Sequence, residues 1–198
     1  MALFRRSSLL PLWLLLTASC AAVAMPPTKV SERLVMPPTP GYVALTESVN
    51  PSGSRVMQMV PTHQSAQNWT DMLSIHQVLD PSGQVPAPRQ FLTPIEAGWL
   101  RACPGSTSTW LREGEEDGHR FALLMLTCPN NPATGKPEHA WLKGLQGAHS
   151  HYVVQKAFRY VPQREQTLEW MAWLRGTGLC RPRADGQCQT SVSAAPAR

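Results

Sequence analysis

Three histidines carry the most suggestive spacing in the chain. His149 and His151 stand two residues apart, so on a strand their side chains share one face and can chelate a cation, with His139 beside Glu138 on a neighbouring strand as a third ligand. The competing reading is a pair of polar residues on the wet face of an edge hairpin, and neither a resident metal nor another cofactor is expected. His63, His76 and His119 have no partner at ligand spacing. The cysteines Cys103, Cys128, Cys180 and Cys188 lack the close C-x2-C pairs that zinc requires. In an oxidising compartment four cysteines predict two disulfides with three connectivities open. The pairs Cys103 with Cys128 and Cys180 with Cys188 are favoured, because the second closes a short Pro- and Gly-containing loop that has no core of its own. Four unpaired buried thiols are the alternative. Pairing would also remove the thiolate that nucleophilic chemistry needs.

Hydrolytic chemistry finds no foothold: there is no G-x-S-x-G and no pair of carboxylates on one element. Glu113, Glu115, Glu116 and Asp117 cluster in a Gly-flanked turn, which reads as a solvated hairpin tip able at most to hold Ca²⁺ weakly. No catalytic residue is identified. Trp69, Trp99, Trp110, Trp141, Trp170 and Trp173 could line a ligand pocket, but in a sheet covered by helices they more often form the core between layers.

The compartment is written at the N-terminus. Arg5 and Arg6, an apolar run from Leu9 to Leu16 and then small residues make residues 1–24 an export signal. Leu16-Thr17-Ala18-Ser19-Cys20 resembles a lipobox, which would place lipid on Cys20, although Thr17 stands where Leu is usual. Ala22-Val23-Ala24 is the competing A-x-A site, releasing the chain from Met25. Without Arg5 and Arg6 the chain has 16 basic and 13 acidic residues, a charge of only +3, so no phosphate-binding stripe and no nucleic-acid partner are expected. Charged residues are 16% of the chain and apolar ones 42%, enough for a core; 19 Pro and 13 Gly argue against bundles and coiled coils.

The elements that must position these groups follow from pattern. Residues 25–40 hold Pro26, Pro27, Pro37, Pro38 and Pro40 and read as an extended tether. Residues 41–48 and 54–60 alternate around an Asn50-Pro51-Ser52-Gly53 turn and predict a hairpin, and 72–79 predicts a further strand. Thr93 can cap and Pro94 can open a helix over 93–102, with Ile95, Trp99 and Cys103 on its buried face. Strands are expected over 108–112, 120–127, 139–146 and 149–160, with 129–137 as a loop. An amphipathic helix is expected over 166–174, ended by Gly176 and Gly178. The expected fold is α+β: a single antiparallel β-sheet packed by two helices, with a Pro-rich N-terminal tether, the domain spanning 41–180 and a disulfide loop and tail 181–198.

Val60-Pro61, Asn68-Trp69-Thr70-Asp71-Met72-Leu73, Cys103-Pro104-Gly105, Cys128-Pro129, Gly135-Lys136-Pro137-Glu138 and Gly147 through Tyr152-Val153-Val154-Gln155-Lys156-Ala157-Phe158-Arg159 together resemble uncharacterised exported proteins of Gram-negative bacteria. The order of hairpin, Trp-led segment, sheet and terminal helix is more loosely similar to the PsbP-like and DcrB-like α/β sandwich. That resemblance implies an adaptor or assembly factor rather than an enzyme. The expected function is a noncatalytic exported envelope protein, a lipoprotein anchored through Cys20, that acts as a protein-binding or assembly module with an envelope protein as partner. A periplasmic small-ligand carrier with a Trp-lined pocket and a metal-dependent enzyme using His139, His149 and His151 are the alternatives. Ala21 after Cys20 is not the Asp that retains lipoproteins at the inner membrane, so the outer membrane, facing the periplasm, is the expected site, with a soluble periplasmic form as the alternative.

Overall fold

The computed structural model describes residues 32–182 and residue 188. The expected signal, the lipobox at Cys20 and most of the tail lie outside the described residues. Eleven elements follow in chain order: β1 (Arg33–Val35), β2 (Tyr42–Val49), β3 (Arg55–Pro61), β4 (Asp71–Leu79), α1 (Pro88–Ala102), β5 (Thr107–Glu116), β6 (His119–Asn131), β7 (Lys136–Gln146), β8 (Ser150–Phe158), α2 (Arg164–Arg175) and β9 (Gly178–Cys180).

The single sheet packed by two helices is corrected by two sheets in a mostly β chain. Seven strands form one antiparallel sheet in the order β2-β3-β4-β8-β7-β6-β5, and β1 pairs β9 in a second sheet of two strands. The register there is Arg33 opposite Cys180, Leu34 opposite Leu179 and Val35 opposite Gly178. Both strands have three residues, too few for an alternating pattern to show. One lies inside the segment read as tether and the other at the glycines read as a helix stop. Leu34 and Leu179 are what hold them: Leu179 is buried and Leu34 packs into the core beside it.

Alternation sorts the long strands between two cores. Leu124 and Leu126 of β6, Leu142 of β7 and Val153 and Ala157 of β8 pack beneath α1 with its Leu92, Phe91 and Trp99. Leu123, Trp141, Val154 and Phe158 face the other way, onto Leu174, Trp170, Met171 and Trp173 of α2 and onto Leu34 of β1. Gly144 lets α1 approach, since a Cβ there would lie 3.1 Å from a methyl carbon of Leu92. The β5–β6 turn uses Asp117 and Gly118 with φ of 52° and 74°, the left-handed pair that a two-residue hairpin demands.

Helix α1 starts at Pro88, earlier than expected. Gln90 reaches back to accept from the Ala87 N–H at 3.2 Å, while Thr93 donates to the Arg89 carbonyl at 2.9 Å instead of capping. Pro94 therefore sits within the helix, and Ile95 is exposed rather than on the buried face. The expected loop 129–137 shrinks to a tight turn because Asn131 organises it, accepting from the Ala133 N–H at 2.9 Å and donating to Glu138 at 2.6 Å.

Candidate functional site

A cavity of about 570 Å³ opens between β1 and the β2-β3-β4 end of the large sheet. Its origin is geometric. Seven strands make a sheet about 29 Å across, whereas a helix is only about 10 Å wide. On the face that α2 covers, Trp170 reaches only as far as Tyr42 at one end of β2, and the residues of β1 lie over the far end of β2-β3-β4. Alternation along β3 and β4 aims Met57 and Ile75 into this gap, and β1 contributes Leu34, with Met36 just beyond its end. These are apolar walls from three strands.

The polar groups of the cavity are few and differ in role. Gln77 donates to the Tyr152 hydroxyl at 3.1 Å and to Ser150 Oγ at 3.4 Å. Burial, reinforced by the Glu32 carboxylate, pushes the Tyr152 phenol up to about 12, so it stays protonated and does not act as a base. Arg33 and Arg55 are exposed at the rim, and Glu47 stands near them on β2. Among the described residues neither arginine has an ion-pair partner. The arrangement can enclose an apolar group and hold charge at its mouth; it offers no activated nucleophile.

The buried lysines are elsewhere and are committed to structure. Lys156, fully buried, donates to the Tyr42 hydroxyl at 2.6 Å and lies 3.4 Å from Asp71, with Trp170 and Phe158 rings 4.3 and 4.4 Å away. Burial pulls it down to about 8, against the opposing pull of Asp71. Tyr160 donates to the same Asp71 oxygen at 3.0 Å and is pushed up to about 12, chiefly by burial. Lys143 ties the end of α2 to the sheet: it donates to the Leu174 and Thr177 carbonyls at 3.1 and 2.7 Å and pairs with Glu116 at 2.6 Å.

The three candidate metal ligands are not brought together. His139 is opposite Phe158 and His151 opposite Gln146, which separates them by about 23 Å along β8 and places them on opposite faces of the sheet. His151 bonds the Pro86 carbonyl at 2.7 Å and stacks on Phe91 at 4.1 Å; burial lowers its pKa, as it does for His139. His149 precedes β8, so the shared strand face does not form. Among the described residues no three His, Cys, Asp or Glu side chains are placed to hold a metal ion.

Cys103 is bonded to Cys128, which joins the end of α1 to β6, and Cys180 is bonded to Cys188 beyond β9. In the acidic cluster, Glu113 pairs with Arg89 and Glu116 with Lys143. No tryptophan lines the cavity: Trp69, Trp99 and Trp110 pack on the α1 side and Trp141, Trp170 and Trp173 on the α2 side. Sequence reasoning missed Arg33, Arg55, Met57 and Tyr152 as a group. The signal available was the Arg55-x-Met57-x-Met59 alternation, one charge and two thioethers on one strand face.

No protein-family model matches the chain, and no curated protein matches it. Among solved structures, it is similar to LpqN of Mycobacterium tuberculosis, described as involved in cell envelope biogenesis, with a TM-score of 0.39, 16% identity, 76% of this chain and 84% of that one covered. It is also similar to the cyanobacterial PsbP (CyanoP) of Synechocystis, with a TM-score of 0.39, 12% identity, 81% of this chain and 97% of that one covered. The second is of the PsbP class to which the sequence is loosely similar. At these scores neither likeness bears on function.

Proposed function

We propose that this chain is an exported, noncatalytic envelope protein that works by binding, and that its site is the cavity between β1 and the β2-β3-β4 face. The cavity carries the reading: its volume falls in the range of small-molecule sites, about 300–1,000 Å³. Two disulfides fit an extracytoplasmic protein. Attachment through lipid on Cys20, or release after Ala24, sets how far the module ranges from the membrane, and intact mass of the native protein separates the two.

The test uses the mature protein and the fluorescent apolar anion 1-anilinonaphthalene-8-sulfonate. Emission should rise on mixing with folded protein and fall back in Met57→Trp, whose indole fills the cavity, with far-UV circular dichroism and the urea midpoint unchanged. No enhancement, or equal enhancement in the variant, would overturn the cavity as the binding site.

A second reading, binding of an envelope protein, is favoured by β2. Among the described residues this eight-residue strand pairs only with β3, leaves its other edge unpaired and exposes Val43 and Val49, an edge suited to an added strand. A photo-crosslinking residue at Val43 should trap a defined partner that the same residue at exposed Leu168 of α2 does not; identical patterns would count against it.

A further inference from the structure

We infer that the cavity takes a single-chain anionic amphiphile, its acyl chain between β1 and the sheet and its anionic oxygen head at Arg33 and Arg55. This rests on the cavity being the binding site, and it names the ligand class. Volume sets the chain. At about 30 Å³ for each heavy-atom group, water's share of liquid volume, the cavity holds about 19 such groups. That matches one acyl chain of twelve to sixteen carbons with a small head, and is about half of what a two-chain phospholipid needs.

The walls suit a flexible chain. Met36, just past β1, and Met57 of β3 line the cavity, and their unbranched thioethers adapt to an apolar guest without fixing one shape. Leu34, Ile75 and Leu79 complete an apolar lining. The inner polar groups make no demand on a ligand, because Gln77 and Tyr152 already bond each other.

Charge sets the head. Arg33 and Arg55 are solvated at the mouth, always cationic, and planar forks that match a carboxylate or phosphate. Two carboxylates also line the cavity and weigh against an anion. Glu32 is buried against Tyr152, whereas the two arginines are exposed. Glu47 is opposite Met57 and Arg55 is opposite Val49, which makes Glu47 a diagonal neighbour of Arg55 on the same face. The mouth therefore keeps a positive excess that Glu47 attenuates.

Binding of dodecanoate, lyso-phosphatidylglycerol with a twelve-carbon chain, and neutral monolauroylglycerol to the mature protein, each below its micelle concentration, tests the inference by displacement of a fluorescent polyene fatty acid. Both anions should bind, with the neutral lipid about tenfold weaker, the size of one charge-assisted hydrogen bond. Arg33→Gln with Arg55→Gln should remove that preference, Glu47→Gln should tighten both anions two- to threefold, and added salt should weaken them. Binding of dodecanoate alone would support a free fatty acid, and binding of both anions a headgroup of either kind. Equal affinity for the neutral lipid, unchanged by the arginine substitutions, would overturn the anionic head while leaving the cavity as a site. No binding by any of the three, with Met57→Trp indistinguishable from the native chain, would overturn both.

Discussion

Raising the pH from 7 to 9.5 should make this protein more stable, although stability usually peaks between about pH 5 and 8. The cause is Lys156, fully buried among Tyr42, Phe158 and Trp170. Its folded pKa of about 8 lies below the ordinary 10.5, because burial disfavours the ammonium more than Asp71 supports it. Such a lysine binds fewer protons folded than unfolded between those two values, so stability climbs with pH across that window and is lost again as pH falls towards 8. Integrated from pH 7 to 9.5, this one group contributes about 2 kcal/mol, or about 4–8 °C in Tm for a domain of this size. Lys143, also lowered by burial, adds in the same direction. Tyr42, bonded directly to Lys156, and Tyr160, across Asp71 from it, are raised, so they hold their protons when folded and erode stability above about pH 10. Glu169 faces the group from α2 as a further carboxylate. Urea unfolding followed by Trp fluorescence, at half-unit pH steps, reads the effect directly. Lys156→Met removes the buried charge while Asp71 keeps its hydrogen bonds from Tyr160 at 3.0 Å and Thr70 at 2.9 Å. The variant leaves Asp71 without its cation, which costs stability, but its profile from pH 7 to 9.5 should be flatter than that of the native chain. A native profile that is level or falls from pH 7 to 9.5 and coincides with that of Lys156→Met would refute the reasoning.

Leu92, fully buried where α1 meets Gly144, should cost about 2–5 kcal/mol when replaced by alanine, measured by the same unfolding; a loss under 1 kcal/mol would mean that α1 is not anchored there. Replacing Cys103 and Cys128 together by alanine should cost about 3.5 kcal/mol, from opening a loop of 25 residues, and should abolish most of the reductant sensitivity of the thermal melt. An unchanged melt would show that α1 is held to β6 by packing alone.

The long elements were legible because their side chains repeat. Residues 54–60 and 72–79 alternate, and the turn at Asn50-Pro51-Ser52-Gly53 joins β2 to β3 as a hairpin whose register runs from Val49 opposite Arg55 to Tyr42 opposite Pro61. The start of α1 was misplaced because Pro88 and Pro94 both suit a first helical turn, and only the Gln90 bond to Ala87 selects the earlier one. The histidine cluster failed for a different reason. Spacing along the chain fixed which residues could share a face only if both lay on one strand, and β8 begins at Ser150, between His149 and His151.

The cavity lay beyond reach of any local pattern. Leu34, Met57, Ile75 and Tyr152 come from four separate strands, and nothing in residues 33–35 announces a strand until Leu179 lies opposite Leu34. The two buried lysines were visible as charges inside the apolar runs of β7 and β8, yet their roles depend on partners far along the chain: Thr177 is 34 residues from Lys143, and Tyr42 is 114 residues from Lys156. Amino-acid order by itself determined the β2–β3 hairpin, the alternating long strands and the amphipathic pattern of α2, because each depends on residues within one turn or hairpin. Tertiary structure alone decided the second sheet, the gap it leaves and the charges at its mouth, because a width mismatch between a helix and a seven-stranded sheet exists only once the layers are stacked.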